Sequence, residues 1–305
     1  MRDISDITKS RKETQNEILA VTTSTFPDHI FYLKIQNDTL TEFLANLDKF
    51  DNLKIDDSNQ FVVCFGLLND MLRKQAISVD LIKKGYYDEA ALMARHIMEA
   101  SLRLIYLAKN QNSWEDWFKY QRYEEYKMSK GMGIPFYLMS SNYYASLLTK
   151  INLNQELFSY EKLPDNPSWC RWIESRDRVN YLLMQPIKRP RSVFSQKFKD
   201  FLALFGKAQY YIVYQKLCLW SHPSIETLRS SLELNRGPFS RYHFVPRFER
   251  DKAEFFFNVI FGFINDSIWE GFSKTFAFEG QVPSVLVKYK EMQEKAISTF
   301  NGFYA

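Results

Sequence analysis

Apolar residues recur at helical spacing along most of the chain, so the pattern predicts helices almost throughout. Residues 59–84, NQFVVCFGLLNDMLRKQAISVDLIKK, keep apolar side chains on one face and stop at Gly85, a natural C-terminal cap. Tyr87 to Asn110 form a second helix rich in Ala, Leu and Met, and the short Gly85–Tyr86 connection folds the pair into an antiparallel hairpin. Ser113 caps a third helix that ends at Gly131, and Pro135 opens a fourth to about Ile151. Pro164, Pro167, Pro186 and Pro190 bracket a helix at about 168–184, and others recur at about 196–205, 207–220 and 223–234. Residues 236–247 hold Gly237, Pro238 and Pro246 and read as a loop or short hairpin. A long aromatic helix over about Arg250–Phe276 and a last one at about 283–300 complete the chain. The first 58 residues read as one or two looser helices with an acidic end, Asp48, Asp51, Asp56 and Asp57.

No segment alternates for long enough to make a series of strands. The predicted fold class is all-α: a multi-helix bundle around the hairpin 60–84/87–110, with an N-terminal helical extension over 1–58 and a bundle domain over 59–305. The run Phe255-Phe256-Phe257 through Trp269 is too apolar for a free surface and belongs in the core or at a dimer seam.

Composition narrows the class. At 305 residues, with 46% hydrophobic and 25% charged content, the chain is long and apolar enough to bury a core and is not of the disordered type. Cys64, Cys170 and Cys218 lie far apart with no CxxC, which argues against a disulfide framework or zinc site and for a reducing, cytoplasmic setting. The N-terminal residues are polar and charged, unlike a signal peptide. The longest uncharged run, Gly131 to Thr149, is interrupted by Pro135, Ser140, Ser141 and Asn142, so no membrane span is expected. No phosphate-binding, dinucleotide-binding or catalytic-elbow motif occurs, and His29, His96, His222 and His243 lack metal-ligand spacing. Neither a cofactor nor a metal is expected.

Candidate chemistry concentrates on the second helix of the hairpin. At roughly 100° per residue, Arg95, Tyr106, Glu99, Arg103 and His96 fall within one arc of about 100°. Nearly every other position is Ala, Leu, Ile or Met. One reading is a solvated stripe stitched by ion pairs one turn apart, each worth about 0.3–0.5 kcal/mol. The other is an Arg–Glu–Arg ladder facing the bundle interior, costly unless it binds something.

A second feature is the stretch Tyr210 to Ser224, with Ser221-His222-Pro223 at its corner. Pro223 disfavours helix at His222 and can take the first turn of a following helix, whose backbone N–H groups favour an anion. A capping corner with a satisfied histidine fits the same residues. Basic residues Lys188, Arg189 and Arg191, with Lys197 and Lys199, stand among Phe194 and Phe198. Such mixtures can grip phosphate and stack bases, or simply form a solvated face. A net charge of only +4 argues against strong nonspecific nucleic-acid binding.

The pattern Gly85-Tyr-Tyr-Asp-Glu89-Ala90-Ala-Leu-Met-Ala-Arg95, then Glu99 and Leu-Ile-Tyr-Leu, with Tyr214, Leu217-Cys and Ser221-His222-Pro223, resembles the bacterial domain-of-unknown-function 5677 family over about residues 60–270. That family is similar in outline to the HEPN superfamily (higher eukaryote and prokaryote nucleotide-binding). Many members of the superfamily are metal-independent ribonucleases of toxin–antitoxin and phage-defence systems. The resemblance implies an RNA or nucleotide partner, a homodimer, and a catalytic trio of Arg95, Glu99 and His222. Beside that trio, His96, Arg103, Tyr214 and Ser221 are the expected substrate-binding residues, and the basic run Lys188, Arg189 and Arg191 supplies the expected nucleic-acid contacts. The sequence departs from the nuclease pattern, in which Arg and His share one segment a few residues apart. Arg95 has no such His, and Arg236 with His243 match only formally, in a loop. Two function classes stay open: a metal-independent endoribonuclease or RNA-binding effector, and a non-catalytic helical module for a nucleotide, small anion or partner protein.

Overall fold

The turn at Gly85 fixes the central pair. In the computed structural model Gly85 has φ 77°, its N–H donates to the Ile82 carbonyl, and the Tyr86 N–H donates to the Leu81 carbonyl at 2.9 Å. These are the two bonds of a Schellman cap, and a side chain at Gly85 would be strained at that φ. The structure describes residues 4–45, 58–110, 113, 117, 197–221, 248–272 and 284–300.

Among the described residues the fold is an all-α helical bundle with no strand. The helices are α1 (Ile4–Thr25), α2 (Pro27–Ala45), α3 (Ser58–Lys83), α4 (Tyr87–Lys109), α5 (Phe198–Leu202), α6 (Ala208–Ser221), α7 (Arg250–Asp266) and α8 (Ser284–Ala296). The hairpin is therefore α3–α4, as the spacing predicts. The helices expected over 136–151, 168–184 and 223–234, the loop at 236–247, and most of the helix after Ser113 lie outside the described residues. None of the described helices is long and apolar enough to cross a membrane.

Packing groups the chain into two units, one of residues 1–54, 64–109 and 207–305, the other of 55–63 and 110–206. In the second unit, α5 runs into a short 3₁₀ turn, Ala203–Phe205, with the Phe201 ring against those of Phe198 and Phe205.

The first unit is built on α7. Ala253 and every residue from Phe256 to Asn265 are buried, because neighbours approach α7 from all sides. Such a helix is apolar all round rather than on one stripe. Each fully buried Phe or Ile contributes about 1.5–3 kcal/mol. The aromatic run thus lies in the core. Helix α4 runs parallel to α7, with the Tyr87 ring stacked on Phe256 at one end and Lys109 paired with Glu270 at the other. Helix α6 runs antiparallel, from Tyr210 beside Asp266 to Trp220 against Phe255 and Phe256. Helix α2 places Leu33, Gln36, Leu40, Phe43 and Leu44 in the core, and the turn after α8 stacks Phe300 on Phe261 at 4.0 Å.

One chain of polar groups buried among these helices is satisfied internally. Gln36 donates to the Phe261 carbonyl and to the Tyr289 hydroxyl, which donates to Asn265. Gln75 of α3 donates to the Leu33 carbonyl and to Gln36. Instead of continuing as an α-helix, the chain after α7 widens into a π-helical turn, Ser267–Phe272. There Gly271 lets α4 come close: a Cβ at that position would lie 2.5 Å from Leu104 Cδ2.

Candidate functional site

Helix α4 buries Ala90, Ala91, Ala94, Ile97 and Met98, which leaves Arg95, Glu99 and Arg103 stacked one turn apart at the edge of its contact with α6. The Arg95 Nε donates to Glu99 Oε1 at 2.9 Å, and Arg103 Nη2 reaches Glu99 Oε2 at 3.5 Å. One carboxylate thus bridges two guanidinium groups, leaving one net positive charge on the ladder. It is neither a free surface stripe nor a sealed ion pair, since Arg95, Glu99 and Arg103 side chains keep 24%, 16% and 29% exposure.

Tyr214 of α6 supplies the opposite wall. Arg95 Nη2 donates to the Tyr214 hydroxyl at 3.2 Å, and the guanidinium carbon lies 5.3 Å from the ring centroid. Guanidinium over a phenol face gains both a hydrogen bond and a cation–π contact. Burial opposes the Arg95 charge, but the hydrogen bond and charge of Glu99 outweigh it and raise the Arg95 pKa. Burial, and then a hydrogen bond with Cys218 one turn on, push Tyr214 up to about 12. At neutral pH the phenol is therefore protonated and the guanidinium charged.

His96 takes another direction. It stands at the exposed surface on the α3 side, and the side chains crowding part of its ring, then the charge of Lys74, lower its pKa. Lys74 itself is paired with Asp70. The imidazole stands outside the hydrogen-bonded group around Arg95, although the charges of Glu99 and Arg95 still reach it. Ser221 closes α6, its hydroxyl donating to the Cys218 carbonyl at 3.2 Å. Of the residues singled out from the sequence, the structure therefore brings together Arg95, Glu99, Arg103 and Tyr214. His222, Lys188, Arg189 and Arg191 lie outside the described residues.

A second polar cluster on α6 has no counterpart in the sequence reading. Lys207 donates to the Tyr210 hydroxyl at 2.9 Å and to Glu270 at 3.2 Å, while Lys109 donates to the other Glu270 oxygen at 2.8 Å. The Tyr210 hydroxyl donates in turn to Asp266 at 3.0 Å. Only the i,i+4 placement of Asp266 and Glu270 on one helix face could have hinted at it. Among the described residues, no group of three or more His, Cys, Asp or Glu side chains is placed to hold a metal ion.

The family described as "Family of unknown function (DUF5677)" matches residues 61–239, which include α4 and α6. No curated protein and no solved structure matches the chain.

Proposed function

From the premise that the chain belongs to this family of unknown function, DUF5677, we propose that it is a HEPN-like, RNA-acting effector of bacterial defence that cleaves its substrate without a metal. The observation that supports this reading is the double anchoring of Arg95. Glu99 holds it from its own helix, and Tyr214 holds it from α6, whose last residue, Ser221, precedes His222. A guanidinium fixed at two points is preorganised for the charge that develops on a phosphate.

In the proposed reaction, neutral His222 takes the proton of an RNA 2′-hydroxyl, and the 2′-oxygen attacks the adjacent phosphorus. The bond from phosphorus to the 5′-oxygen breaks, and the leaving oxygen takes a proton from water. The products are a 2′,3′-cyclic phosphate and a 5′-hydroxyl end. Arg95 and Arg103 stabilise the phosphate charge, and Glu99 fixes Arg95. Lys188, Arg189 and Arg191 contact the strand, with His96 and Ser221 as flanking substrate contacts. The protein acts in the cytoplasm as a homodimer, which light scattering tests.

The full-length protein is expected to cleave single-stranded RNA in the presence of a chelator. His222→Ala should lower the rate roughly hundredfold or more, the usual contribution of a general base. Arg95→Ala should lower it with an unchanged melting temperature transition shape. Full activity in His222→Ala would overturn the acid–base role.

A second reading rests on the same ladder: Glu99 already neutralises one arginine, which favours a non-catalytic module for a nucleotide, small anion or partner protein. Fluorescence anisotropy separates the two. Arg95-dependent RNA binding without any cleavage supports the module.

A further inference from the structure

A cleft of about 590 Å³ opens where the start of α6, the end of α7 with its π-helical turn, and α8 come together. Its size is that of small-molecule sites, and π-helical turns recur at functional positions. Asp266, Trp269, Lys290, Gln209, Gln293 and Lys207 line it.

The groups facing this cleft differ in what they still have to offer. Glu270 is held by two lysines, Lys109 and Lys207. Asp266 has a phenol, Tyr210, on one oxygen only, and burial raises its pKa even though Tyr210 and then Lys207 favour the charged form. A carboxylate so placed rewards a ligand that brings another N–H. The indole N–H of Trp269 is committed to Asn265 at 3.1 Å, so the residue offers ring surface and no donor. Lys290 stands exposed on α8 as an uncommitted cation among the described residues, and the amides of Gln209 and Gln293 can donate or accept.

A ligand matching this lining carries a donor at one end, a flat middle and an anion at the other. The donor must be neutral, because Lys207 sits on the same hydrogen-bonded chain as Asp266 and repels an ammonium group. We propose that the cleft binds one nucleotide whose base carries an amino group, with the amino group on Asp266, the base against Trp269 and the phosphate on Lys290. Guanine fits best, because its ring N–H and amino group lie side by side and can meet one carboxylate. The site is separate from the Arg95 groove and does not depend on RNA cleavage there.

Titration calorimetry of the full chain with GMP, UMP and guanosine tests this. GMP should bind, with UMP, which lacks the amino group, and guanosine, which lacks the phosphate, each roughly tenfold weaker or more. Lys290→Ala, at an exposed position, should weaken GMP roughly tenfold and leave guanosine unchanged. Asp266→Asn should abolish the preference for GMP over UMP. Equal binding of UMP, an unaffected Lys290→Ala, or binding of free arginine in place of GMP would each overturn the proposal, as would no binding of GMP at millimolar concentration. A guanine-containing oligonucleotide that binds more tightly than GMP assigns the cleft to an RNA strand, and one that binds no better assigns it to the free nucleotide. GMP binding should persist in Arg95→Ala, so failure of this site and failure of the ribonuclease reading are separable.

Discussion

Tyr210 and Tyr214 stand one turn apart on the same helix, and their hydroxyl groups serve different partners. Tyr210 is buried and donates to a carboxylate, Asp266, while Lys207 donates to it. Tyr214 is half-buried and accepts from a guanidinium, Arg95. One end of α6 therefore uses a phenol to hold an acid, and the other uses one to hold a cation. The residue type is the same, and the partner from the facing helix decides its role. The chain at Tyr210 supports the fold and leaves Asp266 at the edge of the α6–α7–α8 cleft, whereas the pair at Tyr214 holds a partly exposed cation.

If that contrast is right, Tyr210→Phe carries the largest stability cost. It removes a hydrogen bond to a largely buried carboxylate and leaves Lys207 short of an acceptor. Urea unfolding should show a loss of about 1.5–3 kcal/mol. Glu99→Gln comes next. Fully buried pairs lose ~3–5 kcal/mol when one charge is removed, but this ladder is reached by water, so about 1–2 kcal/mol is expected, with RNA binding or cleavage falling more than the folded fraction does. An activity that only tracked the folded fraction would make the ladder a structural ion pair.

Tyr214→Phe is expected to cost less, about 0.5–1 kcal/mol, because the ring beneath Arg95 is kept and only the hydroxyl is lost. Equal costs for the two tyrosines would erase the distinction between the ends of α6. The smallest effect is one of pH. Both phenols are raised above the ordinary value of 10.0, Tyr214 to about 12 and Tyr210 further, in each case with burial as the first cause. The unfolded chain therefore releases these protons first, and their stabilising contribution, complete below pH 10, is lost as pH rises above it. Between pH 9 and pH 11 both phenols stay protonated in the fold, so Tyr210→Phe and Tyr214→Phe should each flatten the loss, by similar amounts.

The elements legible in the sequence were those whose cause is local. Gly85 marks its own cap, and the apolar period of 59–84 and 87–110 needs no partner to be seen. Arg95, Glu99 and Arg103 could be placed on one arc because a single helix carries them. The partner that gives Arg95 its second anchor lies 119 residues away, and no local pattern specifies that meeting. Tyr210 reads as one more apolar position until Asp266 stands beside it. The N-terminal helices read as loose because Gln36 interrupts the apolar stripe of α2. In the fold that glutamine is a core residue, satisfied by groups from α3, α7 and α8. The π-helical turn was likewise invisible, since its sequence continues the helical period of α7.

The central position of α7 also sets a timetable for synthesis. Gln36 finds the Phe261 carbonyl 225 residues later in the chain, and Tyr289 later still. At about 5–20 residues per second, a ribosome needs roughly 10–45 s to cover that interval. Throughout it, Leu33, Leu40 and Phe43 of α2 are already made while the α7 and α8 surfaces they will pack against do not yet exist. The nascent N-terminal helices must therefore wait, with apolar faces uncovered, for the last quarter of the chain to emerge.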